Sequence, residues 1–423
     1  MIAEVLSIGT ELLMGQTLNT NTRFLAQRLS TMGIAQYHQV TVGDNPRRLR
    51  EAYETALQRS DIVITSGGLG PTGDDITKEM LAEALGRPLV AHEGAKAQIL
   101  ARFQAMHRPM AENNLRQAMF TENSILLEND NGTAPGAIVP CDPVFPGKVV
   151  IHLPGPPREL EPMFDLKVKP YLEARAGHAI VSRYIRIFGM GESDVDMRLK
   201  DLMAGSNPSL SPYCSLGEVQ LRATASAPTE AEALALLLPL VDAVAERIGD
   251  VVYDVRATDD GAMEISAVQA LSDNHLVVAL CESLTGGMLA DRIVNVPGAS
   301  RVFAGGFVTY QADMKIRLAD VPAEIIARHG VVSEACAEAM AKGTLIKTGA
   351  DMALSLTGYA GPAQAGIAEE IGLVFIGVAT KEGTKVKTLH LSGNRDRIRT
   401  LSALNALNMI RVIATGGLSN ASL

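Results

Sequence analysis

Apolar and polar positions alternate in blocks at both ends of the chain. Near the start, AEVLSIG (3–9) reads as a buried strand. TNTRFLAQRLSTMG (20–33) then reads as a helix, with Phe24, Leu25, Leu29 and Met32 at helical spacing and Gly33 as its stop. DIVITSGG (61–68) and KVVIHLPG (148–155) repeat the strand pattern, and each runs into a Gly- or Pro-rich loop. DDITKEMLAEALG (74–86) reads as a helix with acids in its first turn and Gly86 at its end. Strands alternating with helices imply a mostly parallel, doubly wound sheet, with ligands beyond the carboxyl ends of its strands.

The pattern changes over residues 171–258. RYIRIFG (183–189) and EVQLRATA (218–225) read as strands, SDVDMRLKDLM (193–203) and TEAEALALLLPLVDAVAERIG (229–249) as helices. From Asp259 the first pattern returns. LVVALCES (276–283), GGFVTY (305–310), DMALSLTG (351–358) and LVFIGVAT (373–380) are strand-like. AMEISAVQALSDN (262–274), SEACAEAMAKGTLIKTG (333–349) and the final RDRIRTLSALNALNMIRVIA are helical. The fold class expected is α/β. Two doubly wound three-layer domains, 1–170 and 259–423, flank a small α+β module at 171–258.

Composition fits that architecture. Hydrophobic residues make up 47% of the 423 positions, yet tryptophan is absent and aromatics are 4%. The core stock is therefore Val, Ile, Leu and Ala, as in helix-covered parallel sheets. The net charge of −9 opposes non-specific binding to nucleic acid. Cys141, Cys214, Cys281 and Cys336 form no CxxC pair, which excludes a zinc knuckle and a disulfide framework. Glu4 and Glu11 in the opening stretch are unlike a signal peptide, and the apolar run Ala233–Ala245 is broken by Pro239 and Asp242. The expectation is a cytoplasmic protein with no membrane partner.

Two loops carry candidate chemistry. In SGGLGPTGDD (66–75), Gly67, Gly68 and Gly70 let backbone approach a ligand, and N–H groups at a helix start bind anions. Asp74 and Asp75 add two carboxylates, and Glu11 offers a third oxygen ligand for a divalent metal such as magnesium. The competing reading is a plain turn with an aspartate helix cap.

GTELLMG (9–15), NTNTRFLAQRL (19–29), TVGDN (41–45), SGGLGPTGDDITKE (66–79), NGTAPG (131–136) and LPGPPRE (153–159) resemble the N-terminal, molybdopterin-binding-like domain of the CinA family. The resemblance extends over the whole chain and implies a central KH-like module and a C-terminal amidohydrolase domain. It implies metal-dependent ADP-ribose pyrophosphatase activity for residues 1–170. A diphosphate would lie over Gly67, Gly68, Gly70 and Thr72, beside a metal held by Asp74, Asp75 and Glu11, with Lys78 and Arg158 adding positive charge. In the middle module, FGMGES (188–193) has G-x-G spacing with Glu192 and Asp194 behind it. Acids there repel a phosphate backbone, so the module reads as a spacer or homodimerisation element rather than a nucleic-acid binder.

CESLTGG (281–287), VPGAS (296–300), GGFVTYQADMK (305–315), GVVSEACAEAMA (330–341), SLTGYAGP (355–362) and GNRDRIR (393–399) resemble the CinA C-terminal domain. That resemblance implies nicotinamide-nucleotide amidase activity, which converts nicotinamide mononucleotide to the acid and ammonia. Such chemistry needs a nucleophile, a base and oxyanion donors. No histidine falls in these motifs, since His275 and His329 lie outside them, so serine–lysine catalysis with Lys315 remains. Ser283 and Ser300 compete as nucleophile. Proximity along the chain to Tyr310 and Lys315 favours Ser300, and the resemblance points the same way. Ser283 would then orient substrate, with Thr285, Gly286 and Gly287 receiving phosphate or ribose. Thr357 and Gly358 would line the pocket, and Arg395 and Arg399 would meet the phosphate.

The chain departs from the family at Leu284, where a cysteine is usual, and at AQAGIAEE (363–370), where Glu369 and Glu370 replace a Lys-Pro pair. Negative charge there opposes phosphate binding. The alternative reading is a catalytically weak or inactive partner protein of the competence or DNA-damage response, acting through proteins.

Overall fold

In the computed structural model, which describes residues 1–107, 109–362 and 370–418, the chain divides into two units. The first is Met1–Val181 with Ala225–Leu236, the second Ser182–Thr224 with Leu237–Leu423.

Three strands of the first unit, β1 (Ile2–Ile8), β2 (Ala35–Val42) and β3 (Ile62–Ser66), pair in parallel around β1. A short ribbon of β4 (Leu89–Ala91) and β5 (Met119–Thr121) stands apart. β6 (Ile125–Leu127), β7 (Gly136–Pro140) and β8 (Val149–Leu153) complete the main sheet, in the order β2-β1-β3-β8-β7-β6. β8 joins β3 in parallel, whereas β7 and β6 run antiparallel. Leu25 and Leu29 of helix Thr20–Thr31 pack on one face with Leu160 and Phe164. Leu49, Tyr53 and Leu57 of helix Pro46–Arg59 pack on the other with Met80 and Leu81 of helix Thr77–Leu85. The result is three layers, as the alternation predicts.

A four-stranded sheet follows, built from β9 (Ala179–Phe188), β10 (Ser209–Ser215), β11 (Glu218–Ala227) and β12 (Val252–Arg256) in the order β10-β11-β9-β12, with β10–β11 and β9–β12 antiparallel. The main sheet of the second unit comprises β13 (Val278–Glu282), β14 (Phe303–Val308), β15 (Met352–Gly358), β16 (Leu373–Thr380) and β17 (Gly383–His390), ordered β14-β13-β15-β16-β17. β14, β13 and β15 are parallel, while β16 and β17 form an antiparallel hairpin. Helices Met263–Asp273 and Arg395–Gly416 cover one face through Leu271, Leu407 and Ile410. Helix Glu334–Thr348 covers the other through Cys336 and Met340. A mostly parallel sheet is thus only half right for this unit. The strand LVFIGVAT turns straight back through two residues, leaving no room for the crossover helix that parallel pairing requires.

Among the described residues no helix is long and apolar enough to cross a membrane. All four cysteines are free; Cys141, Cys281 and Cys336 are buried.

His152 on β8 sits in the first unit's core, its Nδ1 2.9 Å from the Thr65 hydroxyl. Burial pushes its pKa down to about 3. The unfolded chain binds a proton near pH 6.5 that the folded chain refuses, so stability falls as pH drops through the window from 6.5 toward 3. Between pH 7 and pH 5 this residue alone accounts for about 2 kcal/mol. Denaturation of His152→Gln at both pH values is expected to show a correspondingly smaller loss of stability than the parent chain.

Candidate functional site

The second unit's site forms where three parallel strands end together. In register, Glu282 on β13 faces Val308 on β14 and Leu356 on β15. The Thr309 N–H donates to the Glu282 carbonyl at 2.8 Å, and the Ser283 N–H donates to the Leu356 carbonyl at 2.9 Å. Ser283, Tyr310 and Thr357-Gly358 therefore leave the sheet at one end. They line a cavity of about 400 Å³ with Lys315 and Arg395.

Lys315 belongs to helix Ala312–Ala319, which begins just after β14. Its side chain is 1% exposed. Nζ donates to the Thr309 carbonyl at 3.1 Å and lies 3.7 Å from Met340 Sδ, and among the described residues no carboxylate pairs with it. Burial pushes its pKa below the ordinary lysine value, and the neighbouring Cys336 and Cys281 thiols offset this only in part. Arg395 Nη2 donates to the Tyr310 hydroxyl at 3.0 Å, and Nη1 donates to the Gly361 carbonyl. Thr357 donates its hydroxyl to the Val331 carbonyl. His275 and His329 are both exposed and absent from the lining.

The structure corrects the expectation for Ser300. It lies exposed in the single turn Ala299–Arg301, before β14 begins. Tyr310 and Lys315 follow the same strand at its far end. Six extended residues span about 20 Å, so nearness along the chain is distance in space. Ser283, 9% exposed, stands at the end where Tyr310 and Lys315 are.

The glycine turn is also corrected. Glu282, 1% exposed, points its carboxylate into the start of helix Met288–Val294. Oε2 accepts from the Gly287 and Leu289 N–H groups at 3.0 and 3.1 Å, and Oε1 accepts from Ala290 N–H at 2.8 Å. The Gly286 N–H donates to the Ser283 carbonyl. Of the donors expected to receive phosphate, the Gly287 N–H is thus taken by the chain's own carboxylate and the Gly286 N–H by a main-chain carbonyl. Thr285 is fully buried, and Thr285, Gly286 and Gly287 do not line the cavity. Arg399 likewise serves the turn: it donates to the Leu284 and Thr285 carbonyls at 3.0 and 2.8 Å. Residues 363–369 of the acidic stretch lie outside the described residues. Glu370 is exposed; burial raises the Tyr359 pKa, and the Glu370 charge adds to it.

The first unit holds a separate cavity of about 390 Å³, again beyond strand ends, after β1, β3 and β8. Gly67, Gly68 and Gly70 line it with Glu11, Asp74 and Asp75, and so do Asp44 and Glu159. Gly67 and Gly68 have φ of 104° and 66°, and a Cβ on Gly67 would collide with the Ile8 carbonyl. Thr72 stays outside the lining. Its N–H and hydroxyl both donate to Asp75 Oδ2, at 2.9 and 2.5 Å. Lys78 is not a free cation for this site: Nζ is buried on the Arg116 and Gln117 carbonyls, and burial lowers its pKa to about 8. Arg158 is largely in solvent, 3.9 Å from Glu159.

Among the described residues no three His, Cys, Asp or Glu groups converge closely enough to hold a metal. The oxygen-only lining suits a hard cation that shares its coordination with substrate phosphates and water, and not one caged by protein alone.

Comparison with known proteins agrees along the chain. Residues 4–174 match the profile described as "Probable molybdopterin binding domain", 182–253 the "Damage-inducible protein CinA KH domain" and 261–413 the "CinA C-terminal domain". A CinA-like protein of Dictyoglomus thermophilum is 44% identical over 412 residues, covering 97% of this chain and 98% of that protein. One from Dictyoglomus turgidum is 43% identical with the same coverage. The crystal structure of CinA from Thermoplasma acidophilum shares 35% identity with a TM-score of 0.37, covering 40% of this chain and 98% of that one. With near-complete coverage at this identity, the chain belongs to the CinA family.

Proposed function

We propose that the second unit is a nicotinamide-nucleotide amidase with Ser283 as nucleophile, and that the first unit is a metal-dependent hydrolase of ADP-ribose or a related diphosphate. The observation that carries the amidase reading is the convergence of Ser283, Tyr310 and the buried, carboxylate-free Lys315 on one cavity. A lysine acts as a base when burial favours its neutral form. Neutral Lys315 takes the Ser283 proton as Oγ attacks the carboxamide carbon, and the Tyr310 hydroxyl donates toward the developing oxyanion. Lys315 returns the proton to the leaving nitrogen, and ammonia departs. Water then attacks the acyl-serine, with Lys315 again accepting the proton. The acid leaves and Ser283 is restored. Arg395 supplies the cationic fork for the phosphate.

The diphosphate reading rests on charge. The lining of the first unit's cavity carries five carboxylates and neither Lys nor Arg. A dianionic diphosphate enters such a site only with a cation. Asp74 and Asp75 would hold that ion, which neutralises charge and polarises the phosphoryl oxygens. Gly67, Gly68 and Gly70 leave room for the phosphates.

With nicotinamide mononucleotide as substrate, ammonia release is expected to fall by at least about 10³-fold in Ser283→Ala, as for loss of a catalytic nucleophile, and to stay near the parent rate in Ser300→Ala. The opposite result would return the nucleophile to Ser300. Because Lys315 must be neutral to act, kcat is expected to rise with pH along a limb whose midpoint lies below the ordinary lysine value of about 10.4. A flat profile over that range would remove the lysine base. In the first unit, Asp75→Ala is expected to abolish metal-dependent ADP-ribose cleavage and leave ammonia release intact; retained cleavage would exclude Asp75 from the metal site.

A further inference from the structure

Five carboxylates line the first unit's cavity, and they are not equivalent. Glu11 and Asp74 are exposed, and Asp44 and Asp75 are half-buried. Asp75 and Asp44 each accept two hydrogen bonds at one oxygen, from Thr72 and Thr10 respectively. Glu159 alone is buried, at 8% exposure. Its Oε2 accepts one hydrogen bond, 2.8 Å from Asn129 Nδ2. Asn129 is itself buried and immobilised, because Nδ2 also donates to the Ala134 carbonyl and Oδ1 accepts the Asn131 N–H. A side chain at Gly132 would run into the Glu159 carboxylate, so the chain leaves that position open for it. Across the same lining, Gln117 is 2% exposed and its Oε1 has no hydrogen-bond partner. A buried acceptor left empty costs about 1–3 kcal/mol, which points to a ligand that supplies the missing donor.

We propose that Glu159 is the general base of the diphosphate hydrolysis, fixed by Asn129 and working apart from the metal-holding Asp74 and Asp75. This rests on the hydrolase reading above. Glu159 is held by Asn129, and among the described residues no three acids form a ready metal cage. The role assigned to Glu159 is proton transfer. A water oxygen forms a bond to one phosphorus, its proton passes to Glu159, and the P–O bond to the bridging oxygen breaks. The bridging oxygen leaves with the electron pair. ADP-ribose plus water yields two phosphomonoesters, and the proton on Glu159 returns to solvent. Gln117 Oε1 accepts from a hydroxyl or amine of the bound ligand.

The test uses the full chain with ADP-ribose and magnesium or manganese chloride. Glu159→Ala is expected to lower kcat by about 10²–10⁴-fold, to leave calorimetric metal binding unchanged within threefold or so, and to regain activity when formate is added. Glu159→Gln keeps the side-chain shape and is expected to lose kcat equally without formate rescue. Ammonia release from nicotinamide mononucleotide by both variants reports that the chain is folded. Weakened metal binding with no formate rescue would make Glu159 a metal ligand and overturn the proposal, as would an unchanged kcat. If the parent chain cleaves no diphosphate with either metal, the hydrolase reading itself fails and Glu159 falls with it.

Discussion

The hydrogen bond from the Thr309 N–H to the Glu282 carbonyl closes the parallel ladder between β13 and β14. Much of the second unit's chemistry depends on that pairing. It fixes where β14 ends, and therefore where Tyr310 and the helix bearing Lys315 begin. It sets Ser283 one residue beyond β13 at the same level. The Glu282 side chain then holds the turn by accepting three N–H groups from the next helix start. Bonds to a charged acceptor are the stronger kind, roughly 1.5–3 kcal/mol each. One residue thus ties the strand end to the helix through both its backbone and its carboxylate. The cost is that the turn no longer offers its donors to an anion, leaving Arg395 as the cationic side chain in the cavity lining.

The first unit solves the opposite problem. Its strand-end loops leave an acidic cavity in which nearby basic side chains are spent elsewhere. Lys78 faces main-chain carbonyls, Arg116 pairs with Glu79, and Arg158 faces solvent. Such a lining repels an anion presented alone and accepts one presented with a hard cation. The two cavities therefore differ in kind. The acidic one has neither Lys nor Arg in its lining, whereas the other pairs one arginine with a desolvated lysine.

Much of the fold was legible in the sequence because most strands are short apolar runs bounded by Gly or Pro. IVITS, VVIHL and VALCE are fully buried, and each reads as a strand by hydrophobicity alone. β2 and β17 escaped notice because their polar, half-exposed residues carry no such signal, and β4 to β7, β10 and β12 were missed as well, β4 to β7 being only three to five residues long. The site was legible as a set of motifs but not as a geometry. Ser300 seemed close to Tyr310 because sequence counts residues, and an extended strand turns a ten-residue gap into the depth of the sheet. The strand's direction was readable from GGFVTY, and it places whatever precedes Phe303 at the wrong end. The glycine turn misled for another reason. A Gly-rich loop before a helix looks like an anion cradle, and Glu282 marks it as self-filled, since a carboxylate just before such a turn competes for the same N–H groups. Glu159 was passed over because its importance lies in burial and in Asn129, thirty residues away.

The central claim is that the amidase chemistry passes through Ser283 at the shared end of β13 and β14. Peptide mapping by mass spectrometry of protein acid-quenched during turnover of nicotinamide mononucleotide tests it most directly. The account predicts a nicotinoyl-nucleotide acyl group on the peptide containing Ser283. An acyl group on Ser300, or ammonia release with no acylated serine at any time point, would contradict it.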